Sequence, residues 1–213
     1  MLVGKIGWRD EPQLEFNLHP IAMSLGLVFL NGEAITVYRG ARLVPKKFTK
    51  LIHGSFQAIT VILSFCGLLF AFDSHNFKNP PIPNLYTLHS WIGLSTVIVF
   101  ALQWIAGFVF YFLQFASLDL KRRLMPIHRM FGIIIFTLVF ASTMLGYSEK
   151  AAFMSAVAPA YSAHLTIANC FGLSLAIYGC TVLLVVINPS WRREPLPEES
   201  HIPLSQMDSS HDD

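Results

Sequence analysis

Apolar residues gather in long unbroken blocks along this chain, without the period-two alternation of a half-buried strand or the narrow stripe of a soluble helix. Five such blocks span residues 16–38, 51–72, 88–113, 127–147 and 164–187. A helix rises about 1.5 Å per residue, so roughly 20 apolar residues cross a bilayer core, and every block is long enough. The polar connections between them are too short to hold a separate folded domain. The pattern predicts an all-α membrane protein with five transmembrane helices, the first four forming an antiparallel up-and-down bundle.

The flanks divide the chain into three parts. Residues 1–15 are polar with no apolar core, which excludes a secretory signal peptide and leaves a short lead outside the membrane. Residues 16–187 form the multi-pass domain, and residues 188–213, rich in Pro, Glu, Ser and Asp, predict a disordered tail. Charge sets the orientation. The first connection carries Arg39, Arg42, Lys46, Lys47 and Lys50, and the third carries Lys121, Arg122 and Arg123. Arg192 and Arg193 follow the last span, whereas the other two connections hold one lysine each, Lys78 and Lys150. The positive-inside rule therefore places the first and third connections and the C-terminus in the cytoplasm, with Trp191 as an interfacial anchor.

Composition agrees and excludes other classes. Hydrophobic residues make up 54% of the 213 and charged residues 13%, about half the charged share of a soluble domain. A net charge of +2 is too small for nucleic-acid binding. Cys66, Cys170 and Cys180 all lie inside apolar blocks, where cysteine acts as a small hydrophobe and no disulfide framework is implied.

The candidate chemistry lies in the histidines. His19 and His89 open the first and third spans from outside, and His53 and His128 open the second and fourth from the cytoplasm. In an up-and-down bundle those spans are diagonal partners, so each diagonal places two imidazoles at one depth. Two imidazole pairs at two depths match the axial ligands of two bis-histidine haems. Zinc fits poorly, because it needs three or four ligands at one point. A single histidine at a helix end is more often interfacial than a ligand, but four in two matched layers are a stronger signal.

Small residues support the same faces. Gly93 and Gly132 follow His89 and His128 by four residues; Gly107, Gly146 and Ala71 follow His89, His128 and His53 by eighteen. Those steps return close to the same helix face, keeping the far end of each histidine face small, where the other haem would lie. The first span departs, with Met23 and Val37 at those offsets. Small residues on membrane helices also serve plain packing, so the glycines alone decide nothing. Lys46, Lys50 and His53 share one face if the second helix extends into its loop, which would link anion capture to the inner pair. Arg42 and Lys47 are better explained by topology or lipid headgroups. His164 reads as interfacial, and His201 and His211 are tail residues.

The segments "FNLHP", "VYRG", "KKFTKLIHG", "PNLYTLHSWIG", "FALQW" and "LMPIHRMFG" occur in this order. Together they resemble the ascorbate-dependent cytochrome b561 family over nearly the whole chain, and the tail "PSWRREPLPEESH" is similar to that of its animal secretory-vesicle members. The resemblance implies a transmembrane oxidoreductase that passes single electrons from cytosolic ascorbate through two b haems to monodehydroascorbate or ferric iron on the other side. It implies His19 and His89 as ligands of the outer haem and His53 and His128 as ligands of the inner one. It implies Arg39, Lys46, Lys50 and Lys121 at the ascorbate site and His75 near the outer acceptor. Secretory-vesicle, endolysosomal or plasma membranes are the expected locations, and a homodimer is compatible with the family.

Two departures stand out. Family members usually carry a sixth span ahead of "FNLHP", where this chain has its short polar lead. Lys121 stands where many members have arginine, which forfeits a bidentate anion fork. Two rival readings follow: a truncated member without electron flux, and a divalent-metal-binding membrane protein.

Overall fold

A computed structural model describes residues 6–113, 115–156 and 162–196. Among the described residues, five helices are long and apolar enough to cross a membrane: α1 (Pro12–Gly40), α2 (Lys46–Asn76), α3 (Leu88–Phe112), α4 (Leu118–Ser155) and α5 (Ala163–Ile187). A short 3-10 turn, Pro189–Trp191, follows α5. No strand occurs among the described residues. The tail expectation for residues 197–213, with His201 and His211, falls outside the described residues.

Local chemistry sets the helix starts. Thr87 and Ser90 form a capping box ahead of α3, with Ser90 N–H donating to Thr87 Oγ1 at 3.3 Å and Thr87 N–H to Ser90 Oγ at 3.2 Å. Ser117 Oγ accepts from Leu120 N–H ahead of α4, and Ser162 Oγ from Leu165 N–H ahead of α5. Pro45 is extended and stands directly before α2.

Helices run past the apolar blocks that predict them. α1 begins at Pro12, so the last residues of the polar lead are helical. α2 begins at Lys46 and α4 at Leu118, which puts Lys46, Lys47, Lys50 and Lys121 on helical turns. α4 passes through Pro126 without breaking. Hydropathy marks where lipid ends, whereas hydrogen bonding and caps mark where the helix ends.

The helices pack as α1 on α2 and α3 on α4, with α1 also touching α4 and α5. His19, early in α1, meets Gly67, late in α2, and Ala34, late in α1, meets His53, early in α2. His89 and Ser142 relate α3 to α4 in the same way. Within each pair the chain therefore runs in opposite directions. Leu27 and Val28 of α1, Phe100 of α3, and Ile135 and Val139 of α4 form the buried core. Large apolar side chains such as Ile62, Phe65, Leu102 and Leu173 lie on the outside, as a lipid-facing shell requires.

Small and polar residues hold the interior. Gln57 Nε2 donates to Asn31 Oδ1 at 3.0 Å, and Thr60 Oγ1 donates to Gly26 O at 3.2 Å within the π-helical stretch Ser24–Leu30. Lipid offers helices no hydrophobic drive toward one another, so contact distance matters. At Gly179 of α5 an added Cβ would stand 2.6 Å from Phe140 Cδ2 of α4. Gly179→Val is expected to lower stability by about 1–3 kcal/mol through overpacking. Gly172→Ala, at a position with open space, should leave stability unchanged or slightly raised. Thermal unfolding of both variants in detergent checks the pair.

Candidate functional site

The topology brings two pairs of histidines together. His19 of α1 faces His89 of α3 with ring centres 6.2 Å apart, and His53 of α2 faces His128 of α4 at 6.2 Å. A metal–imidazole bond is about 2.0–2.1 Å, so with roughly 1.1 Å from ring centre to nitrogen on each side, two axial imidazoles sit ~6.3 Å apart. Both pairs fit that spacing. Ala34, the residue that holds His53, lies 15 residues beyond His19 on α1. At about 1.5 Å per residue the two pairs are roughly 20 Å apart in depth.

Hydrogen bonds decide which ring nitrogen faces the partner. His19 Nδ1 donates to Gly67 O at 2.8 Å, His53 Nδ1 to Ala34 O at 2.7 Å, and His89 Nδ1 to Ser142 O at 2.9 Å. A carbonyl can only accept, so these bonds select the Nδ1–H tautomer and leave Nε2 with a free lone pair, the state a metal ligand needs. His128 differs. Among the described residues its ring has no hydrogen bond; instead its backbone carbonyl accepts from Gln103 Nε2 at 2.6 Å, and Tyr111 packs 5.5 Å from its ring.

The glycines eighteen residues after a histidine lie against the histidine of the other layer. An added Cβ at Gly146 would stand 2.7 Å from His89 Cε1, and one at Gly107 would stand 3.5 Å from His128 Cε1. Each helix therefore stays bare where it backs the imidazole of the other layer. Of the two closer glycines, Gly93 lies against Ser142 Oγ and Gly132 borders open space. The Met23 departure also has an explanation, since its side chain covers Gly67.

At the end bearing His53 and His128, Lys46 and Lys121 lie close enough to Lys50 to repel it. Lys50 Nζ stands 5.8 Å from the Phe112 ring centre, and a cavity of about 370 Å³ is lined by Lys47, Phe48, Lys50, Leu51 and Phe112. Phe112 reaches it from the π-helical turn Phe108–Phe112, a local widening of the kind found at functional sites. Trp104, Phe108 and Phe112 stack in series along α3 at 5.5 Å and 5.3 Å. Arg39 is placed elsewhere. Its guanidinium donates to Val186 O at 2.6 Å and Asn188 O at 2.8 Å, closing the C-terminus of α5, and it borders a cleft of about 490 Å³ with Arg42 and Trp191.

At the opposite end His75 Nδ1 lies 3.1 Å from Asn84 Oδ1. Phe16 stacks on His19 at 5.7 Å and on His75 at 6.4 Å, bridging the loop histidine to the outer pair. Phe16, Asn84, Phe112 and Lys150 were not among the residues singled out by sequence. The offset of Phe16, three residues before His19, was the available signal. For Phe112 the available signal was its four-residue spacing from Phe108 and Trp104, on which it stacks in series. Among the described residues no three of His, Cys, Asp and Glu converge.

Comparison with known proteins identifies the family. The family model described as eukaryotic cytochrome b561 matches residues 18–154, a stretch containing both histidine pairs. A putative transmembrane ascorbate-dependent reductase, a CYB561 homolog of Caenorhabditis elegans, is 39% identical over 213 residues, covering 96% of this chain and 79% of that protein. The transmembrane ascorbate-dependent reductase CYB561 of Sus scrofa is 36% identical, with 94% and 79% covered. The plasma membrane ascorbate-dependent reductase CYBRD1 of Xenopus laevis is 40% identical, with 88% and 67% covered. Similarity that runs this far along both chains, through the helices that juxtapose the imidazoles, places this protein in the eukaryotic cytochrome b561 family.

Proposed function

We propose that this protein is an ascorbate-dependent transmembrane reductase, carrying single electrons from cytosolic ascorbate to monodehydroascorbate or ferric iron at the opposite face. The reading is carried by two imidazole pairs, each at the spacing of axial ligands and lying at opposite ends of the helices. His19 with His89 and His53 with His128 are the residues that would hold two b-type haems. Bound there, haem would supply one-electron exchange.

The chain itself supplies position, charge and exclusion of water. Three carbonyl acceptors fix the Nδ1 side of these rings and leave Nε2 free as a ligand. Lys46, Lys50 and Lys121 concentrate positive charge beside the inner pair, which draws in and orients the ascorbate anion. Phe112 offers that anion an apolar floor. The loop charges support a cytoplasmic position for this end and for the C-terminus. Arg39 adds charge to the same face while its guanidinium holds α5. At the outer end His75 and Asn84 stand across Phe16 from His19 and are proposed to contact the acceptor.

Purified protein is expected to show two ascorbate-reducible haems per chain, falling to one on His19→Ala or His53→Ala. Vesicles loaded with ascorbate should reduce an external ferric chelate. Colourless protein would overturn the reading, and two bound haems without flux would overturn its electron-carrying part.

Two finer outcomes follow from the site. Gly146→Val should displace the His89 ring and lose one haem, whereas Gly132→Ala should keep both, read from the pyridine haemochrome spectrum per chain. Lys50→Gln should raise the KM for ascorbate roughly tenfold, as expected for a lost charged contact, and leave the haem absorption unchanged.

A further inference from the structure

The outer end holds a cation that the proposed function leaves unused. Lys150 lies four residues beyond Gly146 on α4, on the face that clears the His89 ring. Its Nζ donates to Asn17 Oδ1 at 3.3 Å and stands 5.3 Å from the Phe16 ring centre. Phe16 is the ring already stacked on His19 and His75. One aromatic side chain thus touches a cation, a histidine of the outer pair and the histidine of the outer loop.

Charge balance makes this lysine unusual. Its hydrogen-bond partner is a neutral amide, and among the described residues no carboxylate lies within ion-pair distance of it. The nearby outer arginine is already matched, with Arg9 Nε 2.9 Å from Asp73 Oδ2. Nor does Lys150 extend away from the bundle toward solvent, as a lysine that only covers apolar surface would. It is half-buried and turned inward onto α1. A partly desolvated ammonium with no counter-charge attracts an incoming anion and repels an incoming cation.

We propose that Lys150 is a specificity-determining residue of the outer site, selecting an anionic one-electron acceptor that binds between it and His75 over Phe16. The inference rests on the proposed direction of electron flow. In the step concerned, the acceptor gains one electron supplied by ascorbate, no bond forms or breaks, and the charge of the acceptor falls by one unit. The attraction of Lys150 grows with that added negative charge, so it favours the reduced product over the bound reactant and tilts transfer outward.

Ascorbate-loaded vesicles containing the full chain test this with two external probes of opposite charge, ferricyanide and hexaammineruthenium(III). Lys150→Gln is expected to raise the KM for ferricyanide roughly tenfold. Lys150→Glu should raise it further while lowering the KM for the cationic probe, and Lys150→Arg should resemble wild type. A sign reversal of that kind cannot come from misfolding. Binding gives a second readout that needs no turnover: redox-inert hexacyanocobaltate(III), added outside vesicles without ascorbate, should bind the wild type and lose affinity in Lys150→Glu. Equal constants for both probes in all variants, or unchanged hexacyanocobaltate binding, would overturn the proposal. Failure of internal ascorbate to reduce wild-type absorbance would instead strike the proposed function, and the binding measurement would still decide the role of Lys150.

Discussion

The hydrogen bonds from histidine Nδ1 to backbone carbonyls are the constraint from which the rest of the site follows. An imidazole N–H inside a bilayer has no water to satisfy it, so it must find an acceptor on a neighbouring helix. Gly67, Ala34 and Ser142 provide those acceptors for His19, His53 and His89. Each bond lies within a sequence-adjacent helix pair, α1 with α2 or α3 with α4. Each facing imidazole, by contrast, comes from the other pair. The two hairpins are thus pinned internally by hydrogen bonds and presented to each other through the free nitrogens. A register slip in either hairpin would remove the carbonyl and release the ring.

The lipid setting explains why small and polar residues carry so much of this architecture. Apolar side chains gain nothing by turning from lipid to a neighbouring helix, so helix contact depends on close approach and buried hydrogen bonds. Gly146 and Gly107 admit an imidazole edge, Gly179 admits the Phe140 ring, and Gly67 admits Met23. Gln57 and Asn31 bond each other within the same interior. The large apolar residues mostly form the outer shell, with a modest core of Leu27, Val28, Phe100, Ile135 and Val139.

The two ends differ in electrostatics. The inner end carries a cluster of mutually repelling lysines beside a cavity with an aromatic floor, an arrangement that trades self-repulsion for attraction of an anion. At the outer end Lys150, Asn17, Asn84 and His75 gather around Phe16. The inner end thus groups several cations around its cavity, while at the outer end Lys150 is held against Asn17 and Phe16.

Much of this was legible in the residues alone. Apolar blocks give the five helices because crossing lipid requires length and composition that can be counted. The four histidines pair as their depths imply, since alternating entry leaves only one diagonal partner for each. The glycines eighteen residues along were also identifiable as small positions at the far end of each histidine face, and there Gly146 and Gly107 lie against the rings of His89 and His128. Helix ends were less legible, because Lys46 and Lys121 are charged residues that hydropathy assigns to loops and backbone hydrogen bonding assigns to helices. Arg39 reads as one more basic residue of its loop, and only the packing of α1 on α5 turns it toward Val186 and Asn188. Phe16, Phe112 and Lys150 acquire meaning from neighbours 59, 62 and 133 residues away. Sequence determines what is periodic and local: span, depth and facing. Tertiary structure decides which carbonyl holds each ring and which charge stands alone, because those depend on contacts between distant helices that no local pattern encodes.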